Sequence, residues 1–318
     1  MRLEHYISIF IGVIALVAFA AFVISLICFL KTYYSPRSRV KKEDKVIKKV
    51  EFIFKNHGDV LDEWTKEIKT LKYEDVYITS FDGIKLHGKF YKVHDENAPI
   101  EILFHGYRGS ADRDMNGGVL RAIHNGRNAL AIDQRGGGTS TGTVITFGIN
   151  EGRDCLSWIE YVLKQNSNAK IILVGVSMGA STVLIASGMD LPSNVVAIIA
   201  DCAYTSAKEM IMDTMKEMHL PPKLMYPFAR LGSKLFGHFD IDEFTPLEMV
   251  AKSKTPTIFF HGDTDTFVPH EMSVRNYEAC TAPHKKLVII EGAGHAAAYL
   301  VDMEKYNNEL KEFLKPLL

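Results

Sequence analysis

Between Tyr6 and Leu30 the chain carries no charged residue: YISIFIGVIALVAFAAFVISLICFL. As a helix this run is about 37 Å long, enough to cross roughly 30 Å of bilayer hydrocarbon with some tilt. It ends in bulky Cys28-Phe29-Leu30, without the small-residue cleavage site of a signal peptide. Tyr33 and Tyr34 follow at the position of an interfacial aromatic belt. The pattern predicts an uncleaved single-pass anchor over residues 1–31, with residues 6–30 in the membrane. Residues 43–72 alternate charged and apolar positions, for example Val46, Ile47, Val50 and Phe54. They predict one or two amphipathic helices within a linker over 32–72.

From residue 73 the pattern changes to short apolar runs separated by helical periodicity. VYITS (76–80) and IKLHGKFYKV (84–93), split by Asp82-Gly83, read as a hairpin. Further strands are expected at 100–106, 128–134, 170–177, 195–202, 255–262 and 286–292. Helical patterns lie at about 117–125, 150–165, 178–188, 270–280 and 296–316. The inner runs are apolar at nearly every position, as befits strands buried on both faces. The expected fold is α/β: a mostly parallel eight-stranded sheet with helices on both sides, over residues 73–318. Ligands collect at the carboxyl ends of such strands. His105, Asp133, Ser177, Asp201, His261, Asp263, Asp265 and His295 all stand at or just past those ends.

Charge adds an orientation. The net charge of the 318 residues is −1, so no global field recruits nucleic acid. The flank after the apolar run is strongly basic: Lys31, Arg37, Arg39, Lys41, Lys42, Lys45, Lys48 and Lys49. The positive-inside rule places it, and the domain beyond, on the cytoplasmic side of the cell membrane, with an extracytoplasmic domain as the alternative. Of the four cysteines, Cys28 lies in the anchor, while Cys155, Cys202 and Cys280 are far apart with no CxxC. That pattern excludes a disulfide framework and a cysteine zinc site and reads as buried thiols.

Candidate chemistry centres on Gly175-Val176-Ser177-Met178-Gly179, a G-x-S-x-G that closes one strand and opens the next helix. A serine at such an elbow points out of the sheet and sits beside a helix N-terminus, which favours negative charge. It needs a base, and the base needs an orienting acid, in the chain order Ser…Asp…His. His295, framed by Gly292 and Gly294, is the expected base. Asp265, which can turn back before Val268-Pro269, is the expected acid. Asp263 reads as a loop brace and Asp201 as a fallback acid. Two backbone N–H groups must hold the oxyanion, and losing one such donor costs roughly 3 kcal/mol. Met178, just after the nucleophile, and Tyr107, in the loop HGYRGS, are the expected donors. His105 reads as structural, its ring bonded to nearby backbone.

The segments HGYRGS, DQRGGGTS, GVSMG, HGDTDTFVP and GAGH, in this order, resemble the α/β-hydrolase fold. They are most similar to the bacterial serine-hydrolase branch grouped with serine aminopeptidases and monoacylglycerol-lipase-like esterases. The resemblance covers about residues 73–318. It implies a triad of Ser177, Asp265 and His295 with an oxyanion hole at Tyr107 and Met178. DQRGGGTS (133–140) reads as a structural turn in which Asp133 and Arg135 pair, and it lacks a phosphate-loop lysine.

Between Asp201 and Thr255 the alternation breaks. Residues 205–237 read as two or three helices interrupted at Pro221-Pro222, forming a small cap insertion over about 205–250. It is rich in Met210, Met212, Met215, Met218, Leu224, Met225, Phe228, Leu235 and Phe236. Apolar cap and membrane anchor together point to a small acyl ester or another lipophilic carbonyl compound as substrate. The expected activity is carboxylic ester hydrolysis through an acyl-enzyme. A serine aminopeptidase-type peptidase and a non-catalytic scaffold of the same fold are the alternatives. A peptidase would need an acidic group for the substrate ammonium, for which Glu209, Asp213 and Glu217 are candidates. No metal or organic cofactor is implied.

Overall fold

The computed structural model describes residues 2–36 and 57–318. The linker expectation over 43–56 lies outside the described residues; at its end stands α2 (Gly58–Ile68). The uncharged run lies in α1 (Arg2–Thr32), whose side chains from Leu3 to Ala20 are all exposed.

Eight strands make one sheet: β1 (Glu74–Thr79), β2 (Lys85–Tyr91), β3 (Ile100–Phe104), β4 (Asn128–Asp133), β5 (Ile171–Val176), β6 (Val195–Asp201), β7 (Thr257–Gly262) and β8 (Lys285–Ile290). Their order is β1-β2-β4-β3-β5-β6-β7-β8. The hairpin β1–β2 and the β2–β4 pair are antiparallel, and every other pair is parallel. Helices join the parallel strands: α3 (Ala111–Asp114), α4 (Asn116–His124), α5 (Ile149–Gln165), α6 (Met178–Ser187), α7 (Ala207–Glu217), α8 (Pro222–Gly237), α9 (Pro246–Val250), α10 (Glu271–Ala279), α11 (Ala298–Val301) and α12 (Met303–Leu314).

The two faces of the sheet bury separate apolar clusters, and alternation along each strand assigns side chains to them. Ile171 and Leu173 of β5 join Trp158 and Val183 on one side; Ile172 and Val174 join Val119, Tyr306 and Phe313 on the other. One charged side chain interrupts the second face. Glu101 of β3 is fully buried between Arg121 and Arg127, which satisfy it with ionic hydrogen bonds. The helix expected over 296–316 is divided at Asp302, whose carboxylate accepts the N–H of Lys305 and starts α12.

By internal contacts the chain separates into two units. One comprises Ser35–Ala207 and Phe244–Leu318, and contains the whole sheet. The other comprises Met1–Tyr34 and Lys208–Glu243, so most of the insertion between β6 and α9 clusters with α1. Within that second unit Phe236 of α8 packs against Phe22 and Phe29 of α1, with ring centroids 5.3 and 5.7 Å apart. Phe239 meets Tyr33 edge-on at 5.4 Å. Gly232 allows the close approach: a Cβ there would lie 2.5 Å from the carbonyl oxygen of Ser25.

Candidate active site

Ser177 sits between β5 and α6 with φ 56° and ψ −118°, a left-handed conformation unusual for a residue with a side chain. Its surroundings force the turn. The Ser177 N–H donates to the Asp201 carbonyl at 2.8 Å, and its own carbonyl accepts from Ser181 N–H at 3.0 Å. Neighbouring glycines make the bend possible: a Cβ on Gly175 would lie 2.1 Å from the Gly179 oxygen, and one on Gly179 would lie 2.0 Å from the Phe104 oxygen. The hydroxyl therefore projects from the carboxyl edge of the sheet at the start of a helix.

Two loops bring it partners. His295 Nε2 lies 2.8 Å from Ser177 Oγ, and His295 Nδ1 lies 2.7 Å from Asp265 Oδ2. All three side chains are buried. Asp265 Oδ1 accepts the N–H groups of Phe267 and Val268 at 2.9 and 2.8 Å, which fixes the carboxylate plane. Burial pushes the Asp265 carboxyl up, but the hydrogen bonds from His261 and His295 outweigh it and hold the group well below the usual carboxylate range. Asp263 accepts the Gly292 N–H at 2.7 Å and so ties the acid loop to the histidine loop, the bracing role its position suggested. Thr264 N–H adds a second tie to the Ala293 carbonyl at 3.1 Å.

The loop after β3 runs beside the serine. A Cβ on Gly106 would lie 3.6 Å from Ser177 Cβ and 3.9 Å from its Oγ. Tyr107 follows directly, its ring 5.3 Å from that of Phe147, and Met178 is the first residue of α6. His105 Nδ1–H donates to the Gly106 carbonyl at 2.8 Å while Nε2 accepts from Gln134 N–H at 3.0 Å, so its ring braces this loop.

Two readings of the sequence change. Arg135 does not pair with Asp133. Its guanidinium reaches Asp154 at 2.7 Å and Asp82 at 2.9 Å. Asp133 instead accepts from His87 Nδ1 and from the N–H groups of Ala111 and Thr139, each at 2.8 Å. The turn after β4 sends the two side chains to different partners. Asp201, the fallback acid, does not face His295 Nδ1, a position taken by Asp265. Burial raises the Asp201 pKa to about 6 against the opposing pull of His261, the Tyr306 hydroxyl, Arg121 and His295.

The sequence places one further participant at this edge without giving it a role. His261, the penultimate residue of β7, places Nε2 3.1 Å from Asp265 Oδ2 and 2.8 Å from the Val268 carbonyl, with Nδ1 2.6 Å from Ser273 Oγ. Its place at a strand end beside the acid loop was the available signal. Cys202 Sγ also lies within 4.8 Å of the facing Asp265 and His295 atoms. Burial raises its pKa well above the ordinary thiol value, so it stays protonated beside the site.

The family described as the alpha/beta hydrolase fold matches residues 102–246, from β3 to the start of α9. The chain has the α/β-hydrolase fold. The chain is similar to an esterase of Pyrococcus furiosus, Pf2001, at 27% identity and a TM-score of 0.64, over 80% of this chain and 96% of that one. Est1E from Butyrivibrio proteoclasticus, solved with ferulic acid bound, shares the α/β-hydrolase fold at 22% identity and a TM-score of 0.57, over 76% of this chain and 98% of the other. Among curated proteins, YqkD of Bacillus subtilis, itself uncharacterized, is 29% identical over 86% of this chain and 88% of its own length.

Proposed function

We propose that the protein is a membrane-anchored serine hydrolase that cleaves carboxylic esters through an acyl-enzyme at Ser177. The observation that carries the reading is the continuous hydrogen-bonded chain Ser177 Oγ–His295–Asp265, with contacts of 2.8 and 2.7 Å. His295 Nε2 takes the hydroxyl proton as Oγ attacks the ester carbon. Asp265 holds the Nδ1–H and stabilises the imidazolium that forms. The N–H groups of Tyr107 and Met178 receive the oxyanion in a low-dielectric pocket, where such donors act most strongly. The imidazolium then protonates the departing alkoxide, leaving an acyl group on Ser177. Water, deprotonated by the same imidazole, hydrolyses that ester and restores the serine.

Similarity to the Pyrococcus esterase at 27% identity favours an ester over an amide substrate. The peptidase alternative needs a free carboxylate for the substrate ammonium, and Asp213, one candidate, is paired with Lys216 at 2.7 Å. The anchor reading rests on α1: it is long and apolar enough to span a bilayer, and only 17% of its most hydrophobic 18-residue window is buried. The basic flank favours a cytoplasmic hydrolase domain.

A fluorophosphonate probe tests the chemistry. The wild type is expected to label and Ser177→Ala to stay blank; a folded wild type that stays unlabelled overturns the reading. Turnover of p-nitrophenyl acyl esters, with none of aminoacyl p-nitroanilides, is the expected specificity. For orientation, a C-terminal alkaline phosphatase fusion is expected to be inactive, and an active one places the domain outside.

A further inference from the structure

We infer that α8 is a second membrane element, an interfacial helix whose outer face lies in the lipid headgroup and acyl boundary beside α1. The inference rests on reading α1 as a membrane anchor and adds a partner to it: a lipid surface contacted by the insertion.

The first observation is where the insertion meets α1. Its ring contacts fall on Phe22, Phe29 and Tyr33, and its glycine contact falls on Ser25. All of these lie in the last third of the helix or, for Tyr33, directly after its end. The uncharged exposed stretch from Tyr6 to Ala20 is about 22 Å long at the helical rise, which fills most of the roughly 30 Å hydrocarbon core by itself. Residues 22–33 therefore lead from the last turns of the hydrocarbon core into the boundary of the bilayer, and the insertion sits at the same depth. Ile27 and Leu30 remain exposed on α1 at this level, at 53% and 37%, so the surroundings here are still apolar.

The second observation is the face of α8 that flanks its contact with α1. Leu224, Leu231 and Leu235 are 63%, 38% and 46% exposed, with half-buried Phe228 between them. Their spacing, i, i+4, i+7 and i+11, is one stripe of a helix. The stripe lies one residue position around from the residues that hold α1, Gly232 and Phe236. Met218 and Leu220, just before α8, extend it with 61% and 36% exposure. A soluble helix does not normally leave a continuous apolar stripe in water. Here it continues the lipid-facing surface of α1, within one unit whose internal packing sets its depth. A surface helix of this kind lies with its apolar face about 5–10 Å into the headgroup and acyl boundary.

Depth-dependent quenching tests this on the full chain in phosphatidylcholine vesicles. The native cysteines are buried, so a new surface cysteine is the one that reacts. Leu224→Cys, Leu231→Cys, Phe10→Cys and Glu160→Cys each receive an NBD label, and a brominated phosphatidylcholine is the quencher. The probe at Phe10 reports the anchor, and the probe at Glu160, on an exposed part of α5, reports water. The expected result is quenching at Leu224 and Leu231 of at least half that at Phe10, with none at Glu160. Quenching at Phe10 alone overturns the interfacial helix and leaves the anchor standing. No quenching at Phe10 overturns the anchor, and the inference with it. Probes at Leu224 and Leu231 that are shielded from water but unquenched, with the same cysteines cross-linking between chains when left unlabelled, replace the lipid surface with a second copy of the chain and also overturn it.

Discussion

His261 Nε2 lies 3.1 Å from Asp265 Oδ2, the same oxygen that faces His295 at 2.7 Å. Two imidazoles thus grip one carboxylate oxygen, one from strand β7 and one from the loop after β8. Ser273 orients the outer ring through Nδ1, which leaves Nε2–H to donate towards Asp265 and the Val268 carbonyl. His261 touches no reacting atom, so it is a positioning residue. His261→Ala is expected to lower kcat for p-nitrophenyl esters by about 10- to 100-fold, the range for a small displacement of a reacting group, with KM nearly unchanged. A rise in KM with kcat intact would mean that the ring shapes the substrate site instead.

The backbone at Ser177 stores strain. A non-glycine residue in such a conformation costs on the order of 1–3 kcal/mol, and glycine relieves it. Ser177→Gly is expected to be inactive but more stable than Ser177→Ala, by about 1 kcal/mol in thermal or denaturant unfolding. Equal stability of the two variants would show that the loops around the elbow, and not its backbone angles, bear the cost.

Asp201 carries a pH-dependent penalty. Its folded pKa is about 6, against an unfolded carboxyl near 3.9. Between these values the native state holds more protons than the unfolded chain, so this group lowers stability as pH rises from about 4 to 6, and the loss is complete above 6. Its Oδ1 has no hydrogen-bond partner among the described residues, consistent with a carboxyl that is poorly accommodated when ionised. Asp201→Asn is expected to raise stability by about 3 kcal/mol at pH 8 and by only about 1 kcal/mol at pH 4.5, read as the shift in melting temperature. A gain of equal size at both pH values would exclude titration as the cause.

The Glu101 cluster behaves in the opposite sense. Two buried arginines share this one carboxylate, and burial, which raises its pKa, is outweighed by their charges and hydrogen bonds, which hold it low. Glu101→Gln leaves both buried arginine charges without a carboxylate under the sheet, a loss of about 3–5 kcal/mol. The melting temperature is expected to fall sharply while the fluorophosphonate labelling rate of the remaining folded enzyme is unchanged.

Much of this organisation was legible because the strands announce themselves. β5 is apolar at both parities, as only a strand covered on two faces can be, and its end marks Ser177. Asp265 and His295 follow two other strand ends, and the rule that parallel strands present ligands at their carboxyl edge was enough to associate them. The partner of Arg135 was not legible. Pairing with Asp133 is reasonable for residues two apart, yet the turn after β4 exposes Arg135 to Asp154 on α5 and Asp82 in the hairpin loop. Such partners depend on side-chain direction across elements, which local spacing does not contain. The same holds for His261, whose contact with Asp265 requires the chain to turn tightly between Gly262 and Asp265. The clustering of the insertion with α1 joins segments nearly two hundred residues apart. Gly232 is a trace of it in the sequence, but a single glycine in a helix does not name the backbone that approaches it.

The ties between residues 263–264 and 292–293 have a consequence for how this scaffold tolerates change. They lock the imidazole to its acid without any contribution from the elbow, so proton acceptor and attacking atom are separately mounted parts. Exchanging the oxygen for sulfur at position 177 leaves that mount intact, and the resulting thiol would meet an imidazole already oriented to receive its proton.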